Sequence, residues 1–178
     1  MELSEYHDEY SESLAADLDF RKLEGALFDD TVKLLAPSEP LRFPPRATVH
    51  EAVQAMVTHQ RAAVVVVDAD GRLVGILNRG DVLTRVVSPG RDPQRTTLGE
   101  VMTPNPEALA PDDRICHAIN RMTAAGYRTI PLVDDQHRPI GIVTVNDVVH
   151  WLASLFPEAL LNLRPGNRLK RPADLDAG

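Results

Sequence analysis

The order of hydrophobic and polar positions predicts a short series of elements. Between residues 49 and 57, apolar side chains fall at spacings of three and four, which indicates one buried face of a helix. Two apolar runs, Ala62–Val67 and Leu73–Leu77, follow and flank Asp68-Ala69-Asp70-Gly71, a sequence rich in turn-forming residues. These runs are typical of two strands joined by a turn. We predict that a further helix begins near Asp81.

The same pattern returns 66 residues later without a gap, so that residues 35–87 correspond to residues 101–153. In the second copy we predict strands at Thr129–Val133 and Pro139–Thr144 and a closing helix near Asp147. The identical residues are Pro40, Pro45, Ala52, Met56, Val67, Asp68, Arg72, Gly75, Ile76, Asp81 and Val82, which recur as Pro106, Pro111, Ala118, Met122, Val133, Asp134, Arg138, Gly141, Ile142, Asp147 and Val148. Two such copies predict two similar units related by an approximate two-fold axis.

Short polar sequences indicate where the long helix of each repeat begins. Thr48 and Glu51 have the spacing of a capping box, in which each side chain bonds the backbone N–H of the other. In the second repeat we predict Asp112 or Asp113 as the N-cap. A short apolar lead-in, 32–35 or 98–102, opens each repeat.

The elements predict a mixed α/β (α+β) fold in which the order helix, strand, strand and helix occurs twice, in two pseudo-symmetric repeats packed as one module with N- and C-terminal extensions. Each repeat alone has too few strands and too small a core for independent stability. The predicted boundaries are an acidic and partly helical arm at 1–30, repeat 1 at 31–87, a linker at 88–97, repeat 2 at 98–155 and a basic tail at 156–178.

Composition narrows the functional classes. The 178 residues carry a formal charge of −7, and ten of the acidic residues lie in the first 30 positions. An acidic chain without a basic stripe is a poor binder of nucleic acid. The longest apolar run, Ala62–Val67, is far shorter than the ~20 residues that span a bilayer. With a single cysteine and no secretory pattern, we expect a cytoplasmic protein that binds neither nucleic acid nor membrane.

The sharpest local motif is Gly141-Ile142-Val143-Thr144-Val145-Asn146-Asp147, at a predicted strand-to-helix junction. A helix N-terminus favours anions, because its free N–H groups point outward, and a carboxylate there can bind both hydroxyls of a ribose. Thr144 and Asp147 therefore suit a nucleotide. The competing interpretation is that Thr-x-x-Asp forms only a capping box, and both can hold at once.

No enzyme signature is present. The six histidines lack metal-ligand spacing, and Cys116 and His117 are adjacent on a helix, so they point apart. We therefore predict no catalytic residue, no metal site and no catalytic cofactor.

The duplicated context resembles a tandem pair of CBS domains, the Bateman module. The resemblance covers residues 31–155 and rests on the two closing motifs, on Val101-Met102-Thr103-Pro104 and on Thr129-Ile130-Pro131-Leu132-Val133-Asp134. It implies two β-α-β-β-α repeats that form a non-catalytic regulatory or sensor module, which binds AMP, ADP, ATP or S-adenosylmethionine in clefts between the repeats.

The resemblance also implies which residues form two clefts. The first would use the second repeat's motif, a phosphate-contacting arginine and a lining of small or apolar residues from the first repeat: Ile142, Thr144, Asp147, Arg128, Ala36, Leu41, Ala62 and Ala63. The other would use Asn78, Asp81, Met102, Tyr127 and Thr129. We expect that cleft to be weak or empty, because Asn78 replaces the usual hydroxyl residue and Tyr127 is bulky.

The resemblance further implies homodimerisation, for which the closing helices offer Val82, Val86, Val148 and Leu152. In the alternative function, the module is a ligand-free scaffold that binds an unidentified protein partner, and Thr144 and Asp147 only cap a helix.

Overall fold

The computed structural model describes residues 21–155. A helix, α1 (21–29), and a 3₁₀ turn (Val32–Leu35) precede the two halves. The first half contains β1 (Arg42–Phe43), α2 (Val49–Thr58), β2 (Ala63–Val67), β3 (Leu73–Asn78) and α3 (Arg79–Val82), which continues as a π-helical turn (Leu83–Val87). The second contains α4 (Leu98–Val101), β4 (Thr103–Pro104), α5 (Ile115–Ala124), β5 (Thr129–Val133), β6 (Pro139–Thr144) and α6 (Val145–Leu155).

The predicted order of helix, strand, strand and helix is confirmed in both halves. The antiparallel hairpins β2–β3 and β5–β6 have the same register at equivalent positions, including an irregularity after Val66 and after Leu132. In each turn one aspartate holds the loop: Asp68 Oδ1 accepts two backbone N–H bonds of 2.9 Å, and Asp134 Oδ1 accepts equivalent bonds of 2.9 and 2.8 Å. The two sequence repeats therefore form equivalent hairpins in the mixed α/β fold.

The long helices begin differently in the two halves. The capping box of Thr48 and Glu51 is confirmed, and the bond from the Thr48 N–H to Glu51 Oε2 (2.7 Å) is the main cause of a lowered Glu51 pKa. The predicted N-cap at Asp112 or Asp113 is wrong, because α5 is capped at Arg114 without a side-chain bond. The Asp113 carboxylate instead accepts the Ala110 N–H at 2.8 Å, within the preceding turn.

The two lead-ins are exchanged between the halves. Leu98 and Val101, from the start of the second repeat, are buried in the first core beside Val49 and Leu77. The first repeat's lead-in lies in the second core, where its apolar residues pack with others from α5, β5, β6 and α6: Val32, Leu35, Ile115, Ala118, Leu132, Val143 and Trp151. Each lead-in therefore comes first in the sequence of its own repeat but packs in the core of the other repeat.

Backbone pairing follows the same exchange. Strand β4 pairs antiparallel with β3, opposing Thr103 to Ile76, and Ser38 pairs with Ile142 through two N–H···O bonds of 3.0 and 2.9 Å. Ser38 therefore extends the second hairpin as β4 extends the first. Each sheet is completed by a segment from the other repeat, so neither repeat folds into a closed sheet by itself.

Two glycines permit these crossings. A Cβ at Gly75 would lie 2.2 Å from the Met102 sulfur, and a Cβ at Gly141 would lie 3.0 Å from the Pro37 Cβ. Both glycines are buried and occur at equivalent positions of β3 and β6. Their lack of a side chain gives the foreign lead-in space to approach the sheet.

Helix α1 packs on the second half. The Trp151 indole N–H donates to Asp30 at 3.0 Å, and Lys22 Nζ donates to the Leu155 carbonyl at 2.8 Å. The helical part of the predicted arm thus contacts the core. The predictions for residues 1–20 and for the tail at 156–178 lie outside the described residues.

One residue predicted as a dimer contact, Val86, is not at the surface. Val86 is buried in the first core, and Val82 and Val148 also pack against their cores. The predicted Leu152 is exposed, and the other exposed apolar residues of the closing helices are Leu83, Val87, Val145 and Val149. Among residues 21–155, no helix is long and apolar enough to cross a membrane.

Candidate functional site

A cleft of about 970 Å³ opens where the two closing motifs face each other. The motifs ending in Asp81 and in Asp147 both line it. Two clefts were expected from the family resemblance, and residues of both motifs line this one. The volume is within the range of small-molecule sites.

Most of the predicted site residues meet in this cleft. Ala63 pairs with Asn78 in the first hairpin, and Thr129 pairs with Thr144 in the second. Each of these strand residues therefore lies beside the motif of its own repeat. The predicted residues that line the cleft are Ile142, Thr144, Asp147, Arg128, Ala62, Ala63, Asn78, Asp81, Tyr127 and Thr129.

Three predicted residues lie elsewhere. Ala36 ends the 3₁₀ turn in a left-handed conformation (φ 49°). Leu41 packs against the first core, and its carbonyl accepts the Val65 N–H at 2.9 Å. Met102 also packs against that core, over Gly75. The exchange of the lead-ins explains the position of Met102, which lies over Gly75 of the other repeat, whereas Leu41 bonds β2 of its own repeat.

The second motif forms a capping box with one oxygen of Asp147. Asp147 Oδ2 accepts the Thr144 N–H at 2.7 Å and the Thr144 hydroxyl at 2.8 Å, and the return bond from the Asp147 N–H to Thr144 Oγ1 is long at 3.4 Å. No bond within residues 21–155 engages the other carboxylate oxygen, Oδ1. Asp147 can therefore cap the helix and still accept hydrogen bonds from a ligand.

The first motif uses both oxygens of its aspartate. Asp81 Oδ2 accepts the Asn78 N–H at 3.0 Å, and Oδ1 lies 3.2 Å from Arg85 Nη2. The side chain of Asp81 is only 12% exposed. Arg85 also donates to the Val101 carbonyl at 2.9 Å and to the Thr103 hydroxyl at 3.0 Å, so it ties the exchanged lead-in to this motif.

The repeat offset places Trp151 where the first half has Arg85. The indole of Trp151 is buried in the second core and donates its N–H to Asp30. Consequently Asp147 has no arginine one turn further along its helix. This single exchange makes the aspartate of the first motif internally paired and that of the second available.

Several lining residues were missed by sequence reasoning. Ser38, Glu39 and Thr103 reach the cleft because the lead-ins are exchanged, and Arg61 and His150 line it as well. A signal was present for Arg61, since the offset of 66 equates it with Tyr127, which was selected. The lead-in residues gave no comparable signal.

A backbone hydrogen bond joins the first residue of each closing helix to the residue before the first strand of the hairpin. The Arg79 N–H donates to the Ala62 carbonyl at 3.1 Å, and the equivalent Val145 N–H donates to the Arg128 carbonyl at 3.2 Å. Arg128 is thereby anchored at the start of the helix that carries Asp147. A flat base, a ribose and a phosphate could each find a matching surface in this cleft: small side chains at Ala62 and Ala63, the Asp147 carboxylate, and the guanidinium groups.

Comparison with known proteins identifies the family. The family model described as "CBS domain" matches residues 34–88 and 98–154. The chain is 34% identical over 107 residues to meiotically up-regulated gene 70 protein of Schizosaccharomyces pombe, which covers 60% of this chain and 14% of that protein. It is 32% identical over 120 residues to CBSX3, a mitochondrial CBS domain-containing protein of Arabidopsis thaliana, which covers 65% of this chain and 58% of that protein.

Solved structures share the fold. The CBS domain pair of MJ0100, in complex with 5′-methylthioadenosine and S-adenosyl-L-methionine, has a TM-score of 0.62 at 26% identity and covers 68% of this chain and 98% of that one. The CBS-domain protein ATU1752 of Agrobacterium tumefaciens has a TM-score of 0.63 at 26% identity, with 68% and 98% covered. The two matched segments coincide with the two structural repeats, and the chain therefore belongs to the CBS-domain family.

Proposed function

We propose that this chain is a non-catalytic regulatory module that binds an adenosine-containing ligand in the cleft between its CBS repeats. The MJ0100 domain pair, which shares the fold and 26% of the sequence, is in complex with two adenosine compounds. The first relatives extend well beyond the matched region, since the chain covers 14% and 19% of their lengths. The whole-protein activities of those relatives therefore contribute nothing to the proposal.

The observation that carries the proposal is the Asp147 carboxylate, which keeps Oδ1 open in a cleft lined by both halves. A carboxylate in such a position can accept hydrogen bonds from the two hydroxyls of a ribose. Thr144 keeps an acceptor lone pair as well, because its hydroxyl proton is donated to Asp147. Arg128 lies at the same junction and supplies donors for a phosphate.

Binding in this cleft couples the two halves. A ligand that contacts both motifs binds some relative arrangements of the halves better than others, and only that difference in affinity can shift their equilibrium. We propose that the shift is transmitted to a protein partner or to a second copy of the chain in the cytoplasm. For a homodimer, the exposed apolar residues of the closing helices, Leu83, Val87 and Val149, are the available contacts.

A second function, a ligand-free interaction scaffold, is favoured by one observation. The capping box of Thr144 and Asp147 is complete within the protein, so the motif stabilises α6 without any ligand. On this view the aspartate contributes only to stability.

The test is calorimetric titration and thermal unfolding with AMP, ADP, ATP, 5′-methylthioadenosine and S-adenosylmethionine. At 100 times its dissociation constant, a ligand stabilises the native state by about 2.7 kcal/mol. We expect a shift in melting temperature with at least one of these compounds, and we expect Asp147→Asn to reduce that shift to about half or less.

Glu51→Gln is the matched control, because Glu51 occupies the same capping-box position as Asp147 but lies outside the cleft-lining residues. Both variants remove a capping carboxylate, so both lower the melting temperature of the free protein slightly. Only Asp147→Asn should reduce the shift in melting temperature that the ligand causes. If no adenosine compound raises the melting temperature of the wild-type protein, the proposed sensor function is wrong and the scaffold function is favoured.

A further inference from the structure

The charges around the cleft are unevenly paired. Three of its four carboxylates have arginine partners, since Asp81 lies 3.2 Å from Arg85, Glu107 lies 3.5 Å from Arg121 and Glu39 lies 3.8 Å from Arg42. None of these three partner arginines lines the cleft itself. The fourth carboxylate, Asp147, is bonded only to Thr144 among the described residues.

Three arginines that do line the cleft lack such partners. Within residues 21–155, no carboxylate forms an ion pair with Arg61, Arg79 or Arg128. Counting the paired groups as neutral, the lining residues that the structure describes offer three guanidinium groups against one carboxylate. Its fixed charge therefore favours an anion, because a guanidinium presents five N–H donors in a geometry that matches phosphate oxygens.

The arginines are also unevenly placed. Arg128 lies beside the second motif, since its carbonyl accepts the Val145 N–H. Arg79 and Arg61 belong to the first half. The Arg79 N–H donates to the carbonyl of Ala62, the residue after Arg61, so the two arginines lie close together along the chain fold. The half whose aspartate is already paired thus holds two of the three unpaired arginines.

We infer that the cleft selects adenosine ligands that carry a chain of phosphates, ADP or ATP, over uncharged or cationic ones such as S-adenosylmethionine. This inference rests on the proposed function. The ribose lies at Asp147, and the phosphates extend past Arg128 along the continuous cleft toward Arg79 and Arg61. The first motif then acts as the phosphate end of one site. A sulfonium group would meet the same arginines and be repelled.

The experiment compares adenosine, AMP, ADP, ATP and S-adenosylmethionine by calorimetric titration of the full chain, in a magnesium-free buffer so that the phosphate charge is not neutralised. We expect affinity to rise with each added phosphate and S-adenosylmethionine to bind more weakly than AMP. Arg79→Gln and Arg61→Gln should each weaken ATP binding about ten-fold, the loss of one charge-assisted contact. Their effect on AMP should be smaller, because AMP does not reach the first half.

Arg72→Gln is the matched control. It removes the same charge from an exposed arginine at the opposite end of β3, outside the cleft-lining residues. Its ATP affinity should match that of the wild-type protein, and all three variants should unfold at nearly the wild-type temperature because the replaced side chains form no ion pair among the described residues.

The outcomes separate the inference from the proposal beneath it. If S-adenosylmethionine binds as tightly as ATP, or if Arg79→Gln and Arg61→Gln leave ATP binding unchanged, the phosphate inference is wrong and the adenosine site stands. If none of the five compounds binds the wild-type protein, the proposed function itself is wrong. A falling ATP affinity with rising salt, with a slope reduced in both variants, supports the inference independently.

Discussion

The two halves have the same fold but use their closing motifs differently. In the first half, Arg85 pairs with Asp81 and holds the exchanged lead-in through Val101 and Thr103. In the second, Trp151 occupies the equivalent position and packs in the core, and Asp147 Oδ1 has no partner among residues 21–155. One difference between the repeats, Arg85 against Trp151, thus decides whether the aspartate of the motif has an arginine partner within its own helix.

This difference has a physical cause. An arginine on the helix turn after an aspartate lies on the same face, so the two side chains meet. The pair then occupies the acceptor that a ribose would need. Tryptophan offers no charge at that site and instead extends the core, at the cost of requiring a partner for its indole N–H, which Asp30 supplies.

The largest expected effect comes from Trp151. Trp151→Ala removes an indole that is only 8% exposed and its bond to Asp30, so we expect a loss of about 3–5 kcal/mol in the free energy of unfolding. Urea unfolding followed by circular dichroism measures it. Val149→Ala, on the exposed side of the same helix, should change stability by less than about 0.5 kcal/mol. Equal losses would contradict the role assigned to Trp151.

The two lead-in crossings come next. Gly75→Ala and Gly141→Ala should each cost about 1–3 kcal/mol, because the added Cβ meets Met102 or Pro37 of the exchanged lead-in. We expect Met102→Ala to recover most of the loss in Gly75→Ala by removing the flexible side chain that is contacted. Chemical unfolding of the single and double variants tests this. Additive losses would mean that the lead-in does not approach Gly75.

The two aspartates provide the most direct test of the comparison. Asp147→Asn should weaken nucleotide binding about ten-fold or more, whereas Asp81→Asn should change it less than about two-fold. The stability effects should be reversed, since Asp81 is buried and ion-paired while Asp147 is partly exposed. Calorimetric titration below the melting temperature of both variants measures affinity and stoichiometry, and we expect one nucleotide per chain. Two equivalent sites would overturn the asymmetry.

The smallest effect concerns pH. The first lead-in is tied to the second half by Lys33, whose Nζ donates to Asp112 Oδ1 at 2.8 Å and lowers the pKa of that carboxyl from its ordinary value of 3.8. A lowered pKa in the folded state means that the stabilisation is fully present above pH 3.8 and is lost as the pH falls through the lowered value. Melting curves should therefore separate wild type from Asp112→Asn at pH 6 and bring them together in strong acid.

A constant gap between these curves at every pH would show that Asp112 does not act through its charge. The matched exposed aspartate Asp135 pairs with no base among the described residues. Asp135→Asn should therefore leave the pH dependence unchanged.

The hairpins and the closing motifs were predictable because they depend on local sequence. Apolar runs around Asp68 and Asp134, and the spacing of Thr48 with Glu51, led to the observed strands, turns and cap. The N-cap of α5 was not predictable, since Asp113 can satisfy either a helix or the turn before it, and only the path of the chain decides between them. The prediction that Val86 is exposed was wrong for the same reason. Val86 lies in the π-helical turn after α3, and its side chain faces the core.

By itself, the sequence determined the number of repeats, their elements, the CBS resemblance and the location of Thr144 and Asp147 at a strand-to-helix junction. Only the tertiary structure decided that the lead-ins are exchanged, that both motifs line one cleft, and that Arg85 pairs with Asp81 while Asp147 Oδ1 has no partner among residues 21–155. The physical reason is the separation along the sequence of the residues that form each contact. A cap or a turn is closed by residues two to four positions apart, whereas Thr103 against Ile76 and Ser38 against Ile142 are contacts between distant segments, and nothing in either segment alone specifies them.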